Sequence, residues 1–210
     1  MPLTPAAGTP SDPARQLSLF GVEAVDPSPA DLAGLLVGPG RVSRLGGTAR
    51  VSVHVDAAWR VHALAGELTA RGLEVGWEPL AEAAGFVVRT AYSGLLAPLA
   101  TAWLGAVDSG GGKRPPVPFH LNGPRLRLWA AAAGGPGPAG WLLRLDAADG
   151  PAHADVVGAA LARIGLPAAL LDAKVGGLAY RVTGRRRLAR LAELIGDRPA
   201  AAPAGAWPEI

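Results

Sequence analysis

The sequence predicts an α+β fold in which two pseudo-symmetric αββαββα units pack on a central two-helix seam. Three observations lead to it. Residues 31–40 (DLAGLLVGPG) and 125–135 (RLRLWAAAAGG) are lined with Ala, Gly and Leu and stop at glycine, so two such helices can approach backbone to backbone. After each of them, alternating and helix-periodic stretches follow in the same order. Residues also recur at a constant offset of 92: Gly66, Arg71, Gly85, Arg89, Leu96 and Leu99 return as Gly158, Arg163, Gly177, Arg181, Leu188 and Leu191, the mark of a duplication.

Residues 1–27 are proline-rich and non-periodic, so they are expected to be a disordered tail. The first unit spans 28–107. Ser28, Pro29 and Asp31 open its seam helix, a serine cap with proline at the first helical position and an acid three residues on. Residues 41–45 and 49–55 form a hairpin around Gly46 and Gly47, with Val51, Val53 and Val55 facing the core and Arg50, Ser52 and His54 facing water. Asp56 is expected to cap a helix running to Ala70. Strands at 75–80 and 85–92 and a helix at 95–103 complete the unit.

Residues 108–123, with their GGGKRPP run, read as the linker. The second unit, 124–198, is opened by Asn122, Gly123 and Pro124. It repeats the order with a strand at 141–146, a helix at 151–164, a hairpin of 169–174 and 178–183, and a last helix at 185–195. Residues 199–210 read as a second disordered tail.

Composition narrows the chemistry. With 50% hydrophobic residues the 210-residue chain can bury a substantial core. It has no cysteine, hence no disulfide, thiolate zinc site or cysteine nucleophile. Proline and glycine break each apolar run before membrane-spanning length, and the N-terminus lacks the basic and apolar regions of a signal peptide, so a cytoplasmic protein without membrane contact is expected. The histidines, His54, His62, His120 and His153, show no ligand spacing. No serine elbow or phosphate loop is present, and no cofactor, metal or small-molecule substrate is expected. Net charge is +3. Because Arg15 stands against Asp12, Glu23, Asp26 and Asp31 in the first 31 residues, the remaining body is more basic than that sum and favours polyanions.

The stretch LAGLLVGPG, residues 32–40, resembles the LAGLIDADG signature of homing endonucleases. In that family two such helices pack at a pseudo-twofold axis, and each delivers an acid to a metal site. Aligning the nine positions puts Val37 and Pro39 in the acidic places. Aligning 127–135 offers Ala132 and Gly134 there. None of these can hold a hard cation or stabilise charge on a phosphate, so the resemblance implies a member without catalysis, not an enzyme. The second half is also similar to the degenerate domain of WhiA-type regulators. The likeness lies in HLN at 120–122 before RLRLWAAAAGG, the helix ending IGL, the YRV strand and LAELIG.

In the N-terminal tail, Gln16, Leu17, Ser18, Leu19 and Phe20 spell QLSLF. This resembles the pentapeptide by which bacterial replication and repair proteins dock on the sliding clamp. Leu17, Leu19 and Phe20 would enter an apolar groove while Gln16 supplies hydrogen bonds; the plainer use of these residues is to fold back on the body. For DNA, the family resemblance points to the concave sheet face, where strand alternation nominates Arg41, Arg50, His54, Arg89, Arg144, Lys174 and Arg181. A second candidate surface is Arg185, Arg186 and Arg187, clustered at a helix start where the dipole disfavours cations. The function expected is a non-catalytic DNA-associated protein recruited to the clamp in replication or repair. A WhiA-like regulator or cofactor and a protein-interaction adaptor without DNA binding are the alternatives.

Overall fold

The computed structural model describes residues 26–81, 84–105, 112–171 and 177–209. The pentapeptide at 16–20 and Lys174 therefore lie outside the described residues.

At the centre stand two helices. Ser28 caps a 3-10 turn at Pro29–Leu32 through a reciprocal capping box with Asp31, and the chain continues into α1, Ala33–Val37, all of it buried. Asn122 caps α4, Gly123–Ala133, by accepting from the Arg125 amide. The two helices cross at Gly34, where a Cβ would overlap the Arg125 carbonyl oxygen; only glycine permits that approach. Trp129 of α4 lies beside Gly38 and is fully buried, its Nε1 donating to the Arg144 carbonyl at 2.8 Å.

Each unit adds a four-stranded antiparallel sheet. The first contains β1 (Arg41–Leu45), β2 (Thr48–Val55), β3 (Val75–Pro79) and β4 (Phe86–Thr90), in the order β1-β2-β4-β3. The second contains β5 (Gly134–Gly137), β6 (Gly140–Arg144), β7 (Ala169–Leu171) and β8 (Ala179–Val182), in the order β5-β6-β8-β7. Helices α2 (Ala58–Thr69) and α3 (Ala97–Leu104) belong to the first unit, α5 (Gly150–Arg163) and α6 (Arg185–Ile195) to the second. One hydrophobic core runs through both units, with the helices on one side of the sheets and the opposite sheet faces open. The predicted α+β architecture, the duplication and the seam are all present.

Register shows how faithfully the duplication survives. Val42 faces Val51 in the first hairpin and Gly134 faces Leu143 in the second, an agreement at the offset of 92. Between the inner strands the units differ: Arg89 faces Ser52, whereas Arg181 faces Leu142 rather than Arg144. That slip is an even one, so every side chain keeps its face.

Four expectations need correction. Asp56 does not cap α2. The cap position is Ala57, with no side-chain bond, and Asp56 instead accepts from Arg60 Nε at 2.8 Å. Residues 134–137, Gly-Gly-Pro-Gly, form strand β5, which their composition hides. The stretch at 112–122 is no free linker, since Lys113, Phe119 and Leu121 are buried. Residues 199–209 are not a loose tail. Ala202 and Trp207 are buried, Trp207 Nε1 donates to the Gly196 carbonyl at 2.9 Å, and the Arg127 guanidinium lies 5.4 Å from its ring. No helix among the described residues is long and apolar enough to cross a membrane.

Candidate nucleic-acid interface

In β2 the residues Ala49, Val51, Val53 and Val55 are buried, so the alternate positions Arg50, Ser52 and His54 look out of the open face. Cross-strand partners share a face, which adds Arg41 and Ser43 from β1 and Arg89 from β4. These groups are mostly engaged. Arg41 pairs with Asp146 of the second unit at 3.0 Å, Arg89 with Glu78 at 2.9 Å, and Arg50 lies 4.8 Å above the Tyr92 ring. In the second sheet Trp141 and Leu143 point inward, which leaves Leu142 and Arg144 of β6 on the open face, with Arg181 opposite Leu142. The other candidate surface is separate. Arg185, Arg186 and Arg187 sit on α6, which packs on α4 in the helical layer, and Arg187 reaches the Pro167 carbonyl at 3.4 Å.

Where the seam helices end, the structure places residues that sequence reasoning did not single out. The last carbonyls of any helix lack an internal partner. At the end of α4 they are met by Arg60 of α2, whose guanidinium donates to the carbonyls of Ala131 at 2.9 Å and Gly134 at 2.6 Å, with Ala130 at 3.3 Å. Just past α1 they are met by Lys113, whose Nζ donates to the carbonyls of Gly38 and Gly40 and pairs with the buried Asp149 at 3.0 Å. His153 Nε2 donates to the Val37 carbonyl at 2.9 Å, while its Nδ1 stands 3.8 Å from Asp149. Each seam end is thus closed by one buried cation.

Burial governs the titration of these groups. It pulls Lys113 below the usual lysine value against the opposing pull of Asp149. It raises the Asp149 carboxyl in spite of Lys113, and it lowers both His153 and Arg60. Such groups do not make a nest for a hard cation, which needs convergent free oxygens. Asp146 and Asp149 are already committed to Arg41 and Lys113. Among the described residues no three His, Asp or Glu converge as metal ligands.

No protein-family profile matches the sequence, and neither does any curated protein. Solved structures do. The homing endonuclease I-WcaI, bound to its DNA recognition sequence, matches over 80% of this chain and 81% of its own, with a TM-score of 0.58 at 8% identity. The fold is that of the LAGLIDADG homing endonucleases. I-DmoI, in complex with DNA and Mn, aligns over 81% of this chain and 97% of its own, with a TM-score of 0.47 at 12% identity.

Within the LAGLIDADG fold the seam end is where Val37 and Pro39 sit. The offset that keeps the two hairpins in register places Trp129 and Ala131 opposite them, three residues before the Ala132 and Gly134 that motif alignment offers. Neither frame supplies a carboxylate. Alternation revealed the open-face arginines, whereas the task of Arg60, Lys113 and His153 carries no local signal, because the carbonyls they reach are remote in sequence.

Proposed function

We propose that this protein binds double-stranded DNA without cutting it, and that residues 16–20 bring it to the bacterial sliding clamp during replication or repair. The supporting observation is the pairing of two features of one surface. Arginines from matching strands of both sheets face outward, and between them the seam ends are closed by Lys113 and Arg60 instead of acids. The fold is shared with I-WcaI, which is bound to its DNA recognition sequence. The chemistry remaining on this surface neutralises phosphate charge, and among its described residues no carboxylates converge to hold a metal that would activate water. Few long polar side chains other than arginine alternate on these strands, so sequence preference is weak.

The test measures fluorescence anisotropy of a labelled duplex at two salt concentrations, with Mg2+ or Mn2+ present in a parallel cleavage assay. Salt-sensitive binding without cleavage is the expected result. Absence of binding at low salt, or cleavage that co-purifies with the chain, removes the reading. For the clamp, full-length protein is compared with the Leu19→Ala, Phe20→Ala double variant on immobilised clamp, and equal affinity removes that part alone. The adaptor reading has one feature in its favour, an apolar cleft of about 580 Å3 near the other end of the seam, walled by Leu95, Pro98, Trp103, Pro118 and Phe119.

A further inference from the structure

We infer that the open face of the second sheet carries a phosphate seat at Gly135, formed by the guanidiniums of Arg144 and Arg60 with Arg181 beside them. The seat rests on the DNA-binding reading and narrows it to three residues. Two guanidiniums converge on one glycine: a Cβ built on Gly135 would lie 3.2 Å from Arg144 Nη1 and 3.9 Å from Arg60 Nη2. Two like charges held so near one point repel each other unless an anion joins them.

The protein does not supply enough acid there. The acid that pairs with Arg60 is Asp56, whose side chain is 76% exposed, and the carbonyls that take Arg60's other donors cancel no whole charge. Arg144 has no ion-pair partner among the described residues. Arg181 shares its face, as a diagonal neighbour on the adjacent strand, and Arg181 Nε is shut off from solvent without a hydrogen-bond partner.

Gly135 is itself buried, covered by the guanidiniums that converge on it. Gly135 leaves main chain where another residue would place a side chain, and close approach to backbone is a use to which glycine is suited. The same position in the first unit is Ser43, whose Oγ lies 3.4 Å from the Tyr92 hydroxyl, and the arginine facing it, Arg50, is stacked on that ring. The first unit fills with Ser43 and Tyr92 the place that the second gives to the guanidiniums over Gly135. Planar guanidiniums match phosphate oxygens in pairs, so the ligand is a phosphate group, from a phosphodiester backbone or from a free phosphate.

Gly135→Asp and Arg144→Gln test the seat, with Ala201→Asp as a control that adds the same charge on an exposed, remote segment. With a labelled duplex, both seat variants are expected to weaken binding about tenfold and to flatten the salt slope by about one, as for one lost phosphate contact. Pyrophosphate is expected to raise the melting temperature of the native protein and of the control but not of Gly135→Asp. That variant should itself melt higher in plain buffer, because its carboxylate relieves the guanidinium repulsion. A merely structural glycine would give the opposite sign.

If the native protein fails to bind duplex yet keeps a pyrophosphate shift that both seat variants lose, the seat stands with free phosphate as its ligand and the DNA reading fails. If both seat variants match the control in duplex affinity and in pyrophosphate shift, there is no seat. Circular dichroism identifies a misfolded Arg144→Gln, in which case Gly135→Asp decides.

Discussion

The two halves of this molecule share a hairpin register and differ in how their outward charges are matched. On the first sheet Arg41, Arg50 and Arg89 each have a neighbour, Asp146, Tyr92 and Glu78. On the second sheet there are fewer arginines, Arg144 and Arg181; Arg144 reaches over the glycine strand, and neither has an acid partner among the described residues. A count of basic residues would rank the first face as the better anion surface. Counting charges left unmatched reverses the order, because an arginine already paired must give up its partner before it can take a phosphate.

The seam ends extend the comparison from surface to interior, and substitutions there should have the largest effects. Lys113→Ala strands Asp149, which stays buried, along with two carbonyls. Breaking a buried pair on one side costs about 3–5 kcal/mol. Arg60→Ala should cost less, because its partner Asp56 is already in water. Urea denaturation of both variants reads the difference, and equal losses would make the two ends equivalent.

Next in size is Gly34→Ala, which forces a methyl onto the Arg125 carbonyl. Overpacking of that kind costs about 3 kcal/mol. A variant as stable as the native chain would mean that the helices can slide apart and that the seam is not the rigid joint between the halves.

The smallest effect is a pH dependence on one side only. His153 is held below the usual imidazole value by burial, so between about pH 6.5 and its lowered folded value the unfolded chain binds a proton that the folded chain refuses. Stability should therefore fall as pH drops through that window. Its counterpart in the first unit is Val61, so His153→Gln should flatten the fall. A slope that persists in the variant assigns the effect to another group.

The sequence revealed those parts that depend on local pattern. Alternation in 48–55 gave both the hairpin and the outward place of Arg50 and His54, and the glycine-ended seam helices followed from their small residues. What was hidden depended on remote partners. Strand β5 consists of Gly-Gly-Pro-Gly, residues with little strand preference, and exists because β6 holds it. Lys113 follows three glycines and looks like solvated linker, although its carbonyl partners lie 73 and 75 residues away. The segment 199–209 has the composition of loose chain and is anchored largely by Trp207. Whether an outward arginine has a neutralising neighbour was equally unreadable, since Arg41 finds its acid 105 residues on.

Arg60 belongs to the first unit but closes the helix of the second. At the same offset the second unit has Ala152, which can close nothing. The reverse task falls to Lys113, a residue outside the regular elements of either copy. A symmetric dimer of first units could use Arg60 twice, whereas a dimer of second units would bring only a His153 to each helix end. The duplication has thereby become one-way: the descendant halves are no longer interchangeable, and the chain between them has become a structural member that neither half can replace.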